Sequence, residues 1–282
     1  MRIPKFWVKE VLVEKDAKGR KVEAIATGWS FESFEDAKSN ALNRAKKVME
    51  RLISREFFNG DSYYFDRPIR EEIVDEIIID GEQVAVITRN NYGAIVLNAA
   101  NAMFVDVDFP ISKTGGGLFS LFRKRKSELD PAEQTIAKVE SWAKLNPNKS
   151  FRLYKTAAGL RLLFSDKKYQ PKSSEVSQIM QSLAADPLYQ KLCEAQECFR
   201  ARLTPKPWRC GFRRPPRQFP YIDQKAQDKN RAWEAKYAKK SQNYATADLI
   251  AEFGQAATEP TIIAVIAYHD EIAKVNQNQK LA

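Results

Sequence analysis

The chain opens with an apolar stretch, Phe6 to Val13, and a second one running to Trp29, separated by the polar, glycine-containing Asp16-Ala-Lys-Gly-Arg20. Two such runs about a glycine turn predict a β-hairpin. Ser33 then precedes Phe34, Glu35 and Asp36, and Leu42, Ala45, Val48 and Leu52 recur at helical spacing. A capping serine, an acidic first turn and that period predict a helix. Residues 1–68 therefore read as a ββα unit, closing in a loop whose Tyr63, Tyr64 and Phe65 are expected to pack on the core.

From Ile69 the pattern fits helix or strand equally. Asp80-Gly81 and Asn90-Asn-Tyr-Gly93 then bracket Val84-Ala-Val-Ile-Thr88 and precede Ala94-Ile-Val-Leu97, two hairpin-like turns in succession that indicate an antiparallel sheet. Met103-Phe-Val-Asp-Val-Asp-Phe-Pro110 alternates strictly. Asp106 and Asp108 share a face with Phe104, Val105 and Val107 take the other, and Pro110 ends the strand. A loop follows with Gly115-Gly-Gly117 and the basic run Arg123-Lys-Arg-Lys126, and then a helix from Asp130-Pro131 to about Leu145. Phe151 to Tyr154 and Leu160 to Phe164 flank a glycine turn as another hairpin. A helix or helix pair spans Ser173 to Cys193, and a strand Cys198 to Leu203.

Residues 205–220 hold five prolines, five basic residues and no acid, which excludes regular structure. Gln224 to Lys240, Thr246 to Phe253 and Pro260 to Val275 read as three helices. The expected fold is α+β: a central, mainly antiparallel sheet with helices on one face, the N-terminal ββα elaboration and a C-terminal helical cap. Residues 69–222 form its core and 223–282 the helical segment.

Composition narrows the partners. The 282 residues carry 46 basic and 36 acidic side chains, a net charge of +10, which favours nucleic acid, phosphate or another anionic partner. No run of about 18 apolar residues is present and the N-terminus has no export-type apolar segment, so neither membrane insertion nor secretion is expected. Cys193, Cys198 and Cys210 with the single His269 do not make a four-ligand zinc site. An odd number of cysteines at these spacings points to reduced thiols and a cytoplasmic address, and His269 reads as a helix residue without special chemistry. Trp142 and Trp233 read as packing residues on their helices.

Three constellations carry candidate chemistry. On a strand, residues i and i+2 lie about 6–7 Å apart on one face, so Asp106 and Asp108 are spaced to share a divalent cation, Mg²⁺ or Mn²⁺; the same alternation also suits a strand with a solvated face. Thr156-Ala-Ala-Gly-Leu-Arg161 is a small-residue turn that lets backbone N–H groups approach phosphate, with an arginine to grip it; an ordinary glycine hairpin has the same form. In Phe199 to Phe219, Lys206, Arg209, Arg213, Arg214 and Arg217 interleave with Trp208 and other rings. That suits a single-strand groove, or an extended arm whose arginines pair with surface acids.

Taken in order, the three resemble the archaeo-eukaryotic primase superfamily over residues 70–215. Asp106-Val107-Asp108 matches its acidic DxD strand. Thr156 to Arg161 is similar to its S-G-x-G-x-H turn and strand, with threonine for serine, alanine for the first glycine and arginine for histidine. Arg202-Leu-Thr-Pro-Lys-Pro207 looks like the basic strand and proline turn that follow the third acidic motif.

The resemblance implies an RRM-like core with Asp106 and Asp108 as catalytic metal ligands. Thr156, Gly159, Arg161, Arg200 and Arg202 would then stand at nucleotide phosphates. Glu197 is the nearest stand-in for the third acid, ahead of Asp166 and Asp186. Two departures matter: Arg161 does not titrate near neutrality as histidine does, and without a well-placed third carboxylate a two-metal site is weakened. Three functions follow as expectations: metal-dependent nucleotidyl transfer, binding of nucleotide or single-stranded nucleic acid without turnover, or docking of an acidic protein.

Overall fold

The computed structural model describes residues 1–54, 68–110 and 130–282. Strands β1 (Phe6–Lys15) and β2 (Lys21–Ser30) pair antiparallel without a break from Phe6↔Ser30 to Lys15↔Lys21. Asp16 closes the turn by accepting from the Lys18 and Arg20 backbone N–H groups, each at 2.9 Å. Helix α1 (Phe34–Ser54) starts at Ser33, whose Oγ accepts from Asp36 N at 3.1 Å. It lays Ala37, Ala41, Ala45 and Met49 against the hairpin. The helix comes so close at Gly28 that any Cβ there would collide with its backbone at Ala37 and Ala41. The ββα unit is as the pattern predicts.

The remaining strands make two antiparallel four-stranded sheets where one was expected. In the first the order is β3 (Glu72–Ile79), β4 (Glu82–Arg89), β5 (Ile95–Ala99) and β9 (Phe199–Arg202). In the second it is β11 (Asp248–Phe253), β7 (Phe151–Lys155), β8 (Gly159–Phe164) and β6 (Phe104–Asp108). The stretch that fitted helix or strand equally is β3. The edge strands β6 and β9 approach one another without a shared ladder. Between them the Tyr189 hydroxyl lies 3.0 Å from both the Phe104 and Arg200 carbonyls, its single proton serving one of the two at a time.

Around these sheets lie α2 (Pro131–Leu145), α3 (Ser174–Ser182), α4 (Pro187–Gln196), α5 (Gln224–Ser241) and α6 (Pro260–Ala273). The C-terminal stretch is not a purely helical cap. Residues read as a helix over Thr246 to Phe253 form the edge strand β11. Its Leu249, Ala251 and Phe253 pack on the core, while Ile250 is exposed. Apolar residues at 249, 250 and 253 also fit a helical period, so their spacing does not distinguish the strand from a helix. Short β10 (Tyr244–Ala245) and β12 (Lys280–Leu281) pair parallel, and β11 pairs antiparallel with β7. The aromatic loop at Tyr63 to Phe65 and the Gly115 to Lys126 loop fall outside the described residues. No helix among those described is long and apolar enough to cross a membrane.

Candidate functional site

Strand β8 is buried along its whole length and forms the bed of the site. Its register with β6 sets Asp106 opposite Arg161 and Asp108 opposite Gly159. Gly159 is required by close approach, since a Cβ there would run into the Val107 carbonyl and the Asp108 Cα. Thr156 closes the turn internally, its N–H and hydroxyl both donating to the Gly159 carbonyl at 2.9 and 3.1 Å. This turn therefore serves strand pairing, with the Gly159 carbonyl committed to it.

Arg161 is the hub. Its Nε and Nη2 donate to Asp106 Oδ1 and Oδ2 at 2.8 and 3.1 Å, a bidentate pair, and Nη1 donates to the Arg202 carbonyl at 3.0 Å. Burial works against the Arg161 charge, but the Asp106 carboxylate more than compensates and raises its pKa. Behind it stands His269 of α6, fully buried, with Nε2 3.5 Å from Arg161 Nη1 and Nδ1 2.8 Å from Asp270 Oδ1. Asp270 also accepts from the Tyr154 hydroxyl at 2.9 Å and pairs with Arg152 at 3.0 Å. An acceptor at Nδ1 and a cation at Nε2 assign the ring proton to Nδ1. His269, expected to be a plain helix residue, is thus part of the arrangement around Asp106.

Asp108 faces solvent with no ion pair among the described residues. Partial burial, then Asp106, then Asp186 raise its pKa, while Lys206 and Arg209 oppose the rise. Asp186, which caps α4 by accepting from Leu188 N at 2.9 Å, is accordingly the third carboxylate nearest in electrostatic terms. Glu197 is not: it bonds Lys172 at 2.6 Å beside the N-terminus. It precedes β9 at the end away from Arg202, on the order of 15 Å off at strand rise. Among the described residues no three His, Cys, Asp or Glu side chains converge on a metal position. Both Asp106 oxygens are held by the Arg161 guanidinium, so as arranged the Asp106 and Asp108 pair does not offer two free carboxylates to a metal.

Cations crowd the same seam. The Arg202 pKa is pushed down to about 10 by burial and by Arg161 and Arg209; its Nη1 donates to the Thr204 carbonyl at 2.9 Å, and no described carboxylate pairs with it. Lys206 is lowered by burial, Arg202 and Arg209, with Asp108 opposing. Arg200 belongs elsewhere. It is sealed against Glu71 at 2.8 Å and Asn98 at 2.5 Å, joining β5 and β9, and is not available to a phosphate.

The proline-rich arm is pinned on one side and open on the other. Tyr237 of α5 donates to the Pro205 carbonyl at 2.5 Å, Trp233 Nε1 donates to the Arg213 carbonyl at 3.0 Å, and Trp233 stacks on Tyr237 at 4.9 Å. Trp142 packs on Phe151 and Phe164, so both tryptophans do pack. Facing outward, Trp208 is 44% exposed and lies edge-on to Tyr92 at 5.3 Å. The Arg214 guanidinium sits 4.8 Å from the Trp208 ring and 5.5 Å from Tyr92, and Lys206 lies 5.8 Å from Trp208. Among the described residues Arg209, Arg213, Arg214 and Arg217 make no ion pair with a carboxylate, so the arm is not tied down by surface acids. Arg213 and Arg217 are exposed, Arg217 lying within electrostatic reach of Lys9.

Tyr92 carried no signal in the sequence beyond its place in a turn. Next to Asp108 opens a mainly apolar cleft of about 750 Å³, walled by Val107, Val139, Trp142 and Leu183. Neither a protein-family model, nor a curated protein, nor a solved structure matches the chain.

Proposed function

We propose that the protein is a primase-like core that binds single-stranded nucleic acid, or the phosphates of a nucleotide, at the seam between β6 and β9 without catalytic turnover. One observation carries this reading. Arg161 neutralises Asp106 through both carboxylate oxygens, while Arg202, Lys206 and Arg209 gather beside it with, among the described residues, no carboxylate of their own beyond the opposing Asp108. Cations held together under partial burial repel one another until an anion joins them. Trp208, Tyr92 and Arg214 supply stacking faces next to that charge, the combination that grips unpaired bases and their backbone.

A second reading, metal-dependent nucleotidyl transfer, draws on the solvent-facing Asp108 with its raised pKa and Asp186 within electrostatic reach. Were Mg²⁺ or Mn²⁺ held there, Asp108 would be the first ligand and Asp106 would have to leave Arg161. Fluorescence titration with a labelled single-stranded oligonucleotide, with and without Mn²⁺, separates the two. Under the binding reading, affinity is independent of Mn²⁺, falls with salt, and drops by about 1–3 kcal/mol in Trp208→Ala. Salt-independent binding, or an unchanged Trp208→Ala, removes it. Binding that requires Mn²⁺ and disappears in Asp108→Asn favours the transferase.

A further inference from the structure

The seam is not the only cationic surface. Between the ββα unit and the core runs a groove of about 760 Å³, walled on one side by Arg44, Lys47 and Arg51 of α1 and on the other by Arg70, with Trp29 in its lining. Positions 44, 47 and 51 recur at three and four residues, so they share one face of the helix. The Arg44 guanidinium lies 4.6 Å from the Trp29 ring.

The neighbouring surface continues this charge. Lys9 on β1 has its pKa lowered by burial, Arg70 and Arg217, three cations drawn together. Gln218 links two of them, accepting from Arg70 Nη2 at 3.0 Å through its side chain and from Lys9 Nζ at 3.4 Å through its carbonyl. A folded chain with a net charge of +10 keeps such a cluster at an electrostatic cost that a polyanion would offset.

Groove and seam are also joined in space. Asn91 lines the groove, and the next residue, Tyr92, meets Trp208 at 5.3 Å. Lys206, over Trp208, is in turn within electrostatic reach of Asp108. Cations and aromatic faces therefore alternate along one continuous path from Asp108 to α1.

We infer that this groove is a second binding site, holding the phosphodiester backbone of a single-stranded nucleic acid that continues from the aromatic cluster onto the N-terminal ββα unit. Only the direction of the strand rests on the proposed role of the seam; the groove's own chemistry stands apart from it. Alternating rings and cations suit a flexible strand with unstacked bases better than an acidic peptide, which offers charge but nothing to stack.

The test is fluorescence anisotropy on the full chain with a short and a long single-stranded oligonucleotide, comparing wild type with Lys47→Glu/Arg51→Glu and, on the opposite wall, Arg70→Gln. Lys47 and Arg51 are exposed, and thermal melting checks that each variant is folded. The double variant is expected to bind the short oligonucleotide as wild type does and the long one at least about tenfold more weakly. Its log affinity against log salt should flatten by about 1.4, for two lost single-strand phosphate contacts.

Unchanged affinity for the long oligonucleotide in both variants overturns the second site. If Trp208→Ala then still weakens binding, the seam reading survives alone; loss in the groove variants with none in Trp208→Ala leaves the groove standing and removes the seam. Competition by polyglutamate as effective as by an oligonucleotide of equal charge overturns the nucleic-acid assignment in favour of an acidic protein partner.

Discussion

The imidazole Nε2 of His269 lies 3.5 Å from Nη1 of Arg161, although 108 residues separate them in the chain. The primase resemblance expects a histidine on the strand where Arg161 stands; the fold instead returns the chain's only histidine to that arginine from α6. It comes as a support behind the guanidinium, buried and bonded to Asp270.

That placement sets a pH dependence. Burial, with Arg161 adding to it, lowers the His269 pKa below its ordinary 6.5, Asp270 opposing in part. The unfolded chain therefore binds a proton at a pH where the folded one does not, so stability is fully present above about 6.5 and is lost as pH falls towards the folded value. Denaturation midpoints should drop from pH 7 to pH 5 in wild type and less so in His269→Gln. With one histidine in the chain, its NMR titration reads the same event directly; a midpoint at or above 6.5 contradicts the buried, neutral assignment.

The Asp106–Arg161 pair predicts unequal costs for its two halves. Arg161 has a side chain only 4% exposed, against 37% for Asp106. Asp106→Asn strands a buried guanidinium and is expected to destabilise by about 3–5 kcal/mol. Arg161→Met leaves a carboxylate that water can reach and should cost less, about 1–3 kcal/mol. Urea denaturation orders them. Arg161→His, which gives the strand the residue that the primase resemblance expects, should release Asp106 and let Mn²⁺ bind by calorimetry where wild type does not. If wild type binds Mn²⁺ as tightly as Arg161→His, the guanidinium is not what keeps metal out.

What the sequence makes legible is local. Period-two alternation around Asp106 and Asp108, and the glycine turn ahead of Arg161, are decided by neighbours a few residues away, and both strands form where that pattern puts them. Which strands adjoin is decided by distant groups. The Tyr189 hydroxyl stands between β6 and β9, and two sheets form in place of one. Edge strand β11 alternates too briefly, with Ile250 facing solvent, to differ from a helix on pattern alone. His269, Asp186 and Tyr92 reach the site only through tertiary packing, which spacing does not encode.

Gly159 tests whether the site depends on the close approach of β8 to β6. A Cβ at this position meets backbone, the Val107 carbonyl and the Asp108 Cα, and backbone cannot yield as a side-chain tip would. Gly159→Ala should shift the pairing and cost about 1–3 kcal/mol, the range for overpacking, even though Ala is ordinarily the better residue outside turns. Chemical denaturation measures it, and a midpoint equal to wild type would show that the strands relax freely there.

Asp108 provides the cleaner probe of charge at the seam, because among the described residues it has no ion-pair partner to strand. Its pKa is raised by partial burial and by Asp106 and Asp186, with Lys206 and Arg209 opposing, so its ionised form is the less favoured one in the folded chain. For a carboxyl raised in this way, the destabilisation is absent below the unfolded value near 3.8 and grows as pH rises through the folded value. Asp108→Asn should therefore raise the thermal midpoint at pH 7 and leave it unchanged at pH 3. It should also strengthen oligonucleotide binding at the seam, since a negative charge no longer faces the incoming phosphates. A lower midpoint at pH 7 together with weaker binding would mean that Asp108 holds Lys206 and Arg209 in place, and that its charge organises the cationic surface instead of opposing the ligand.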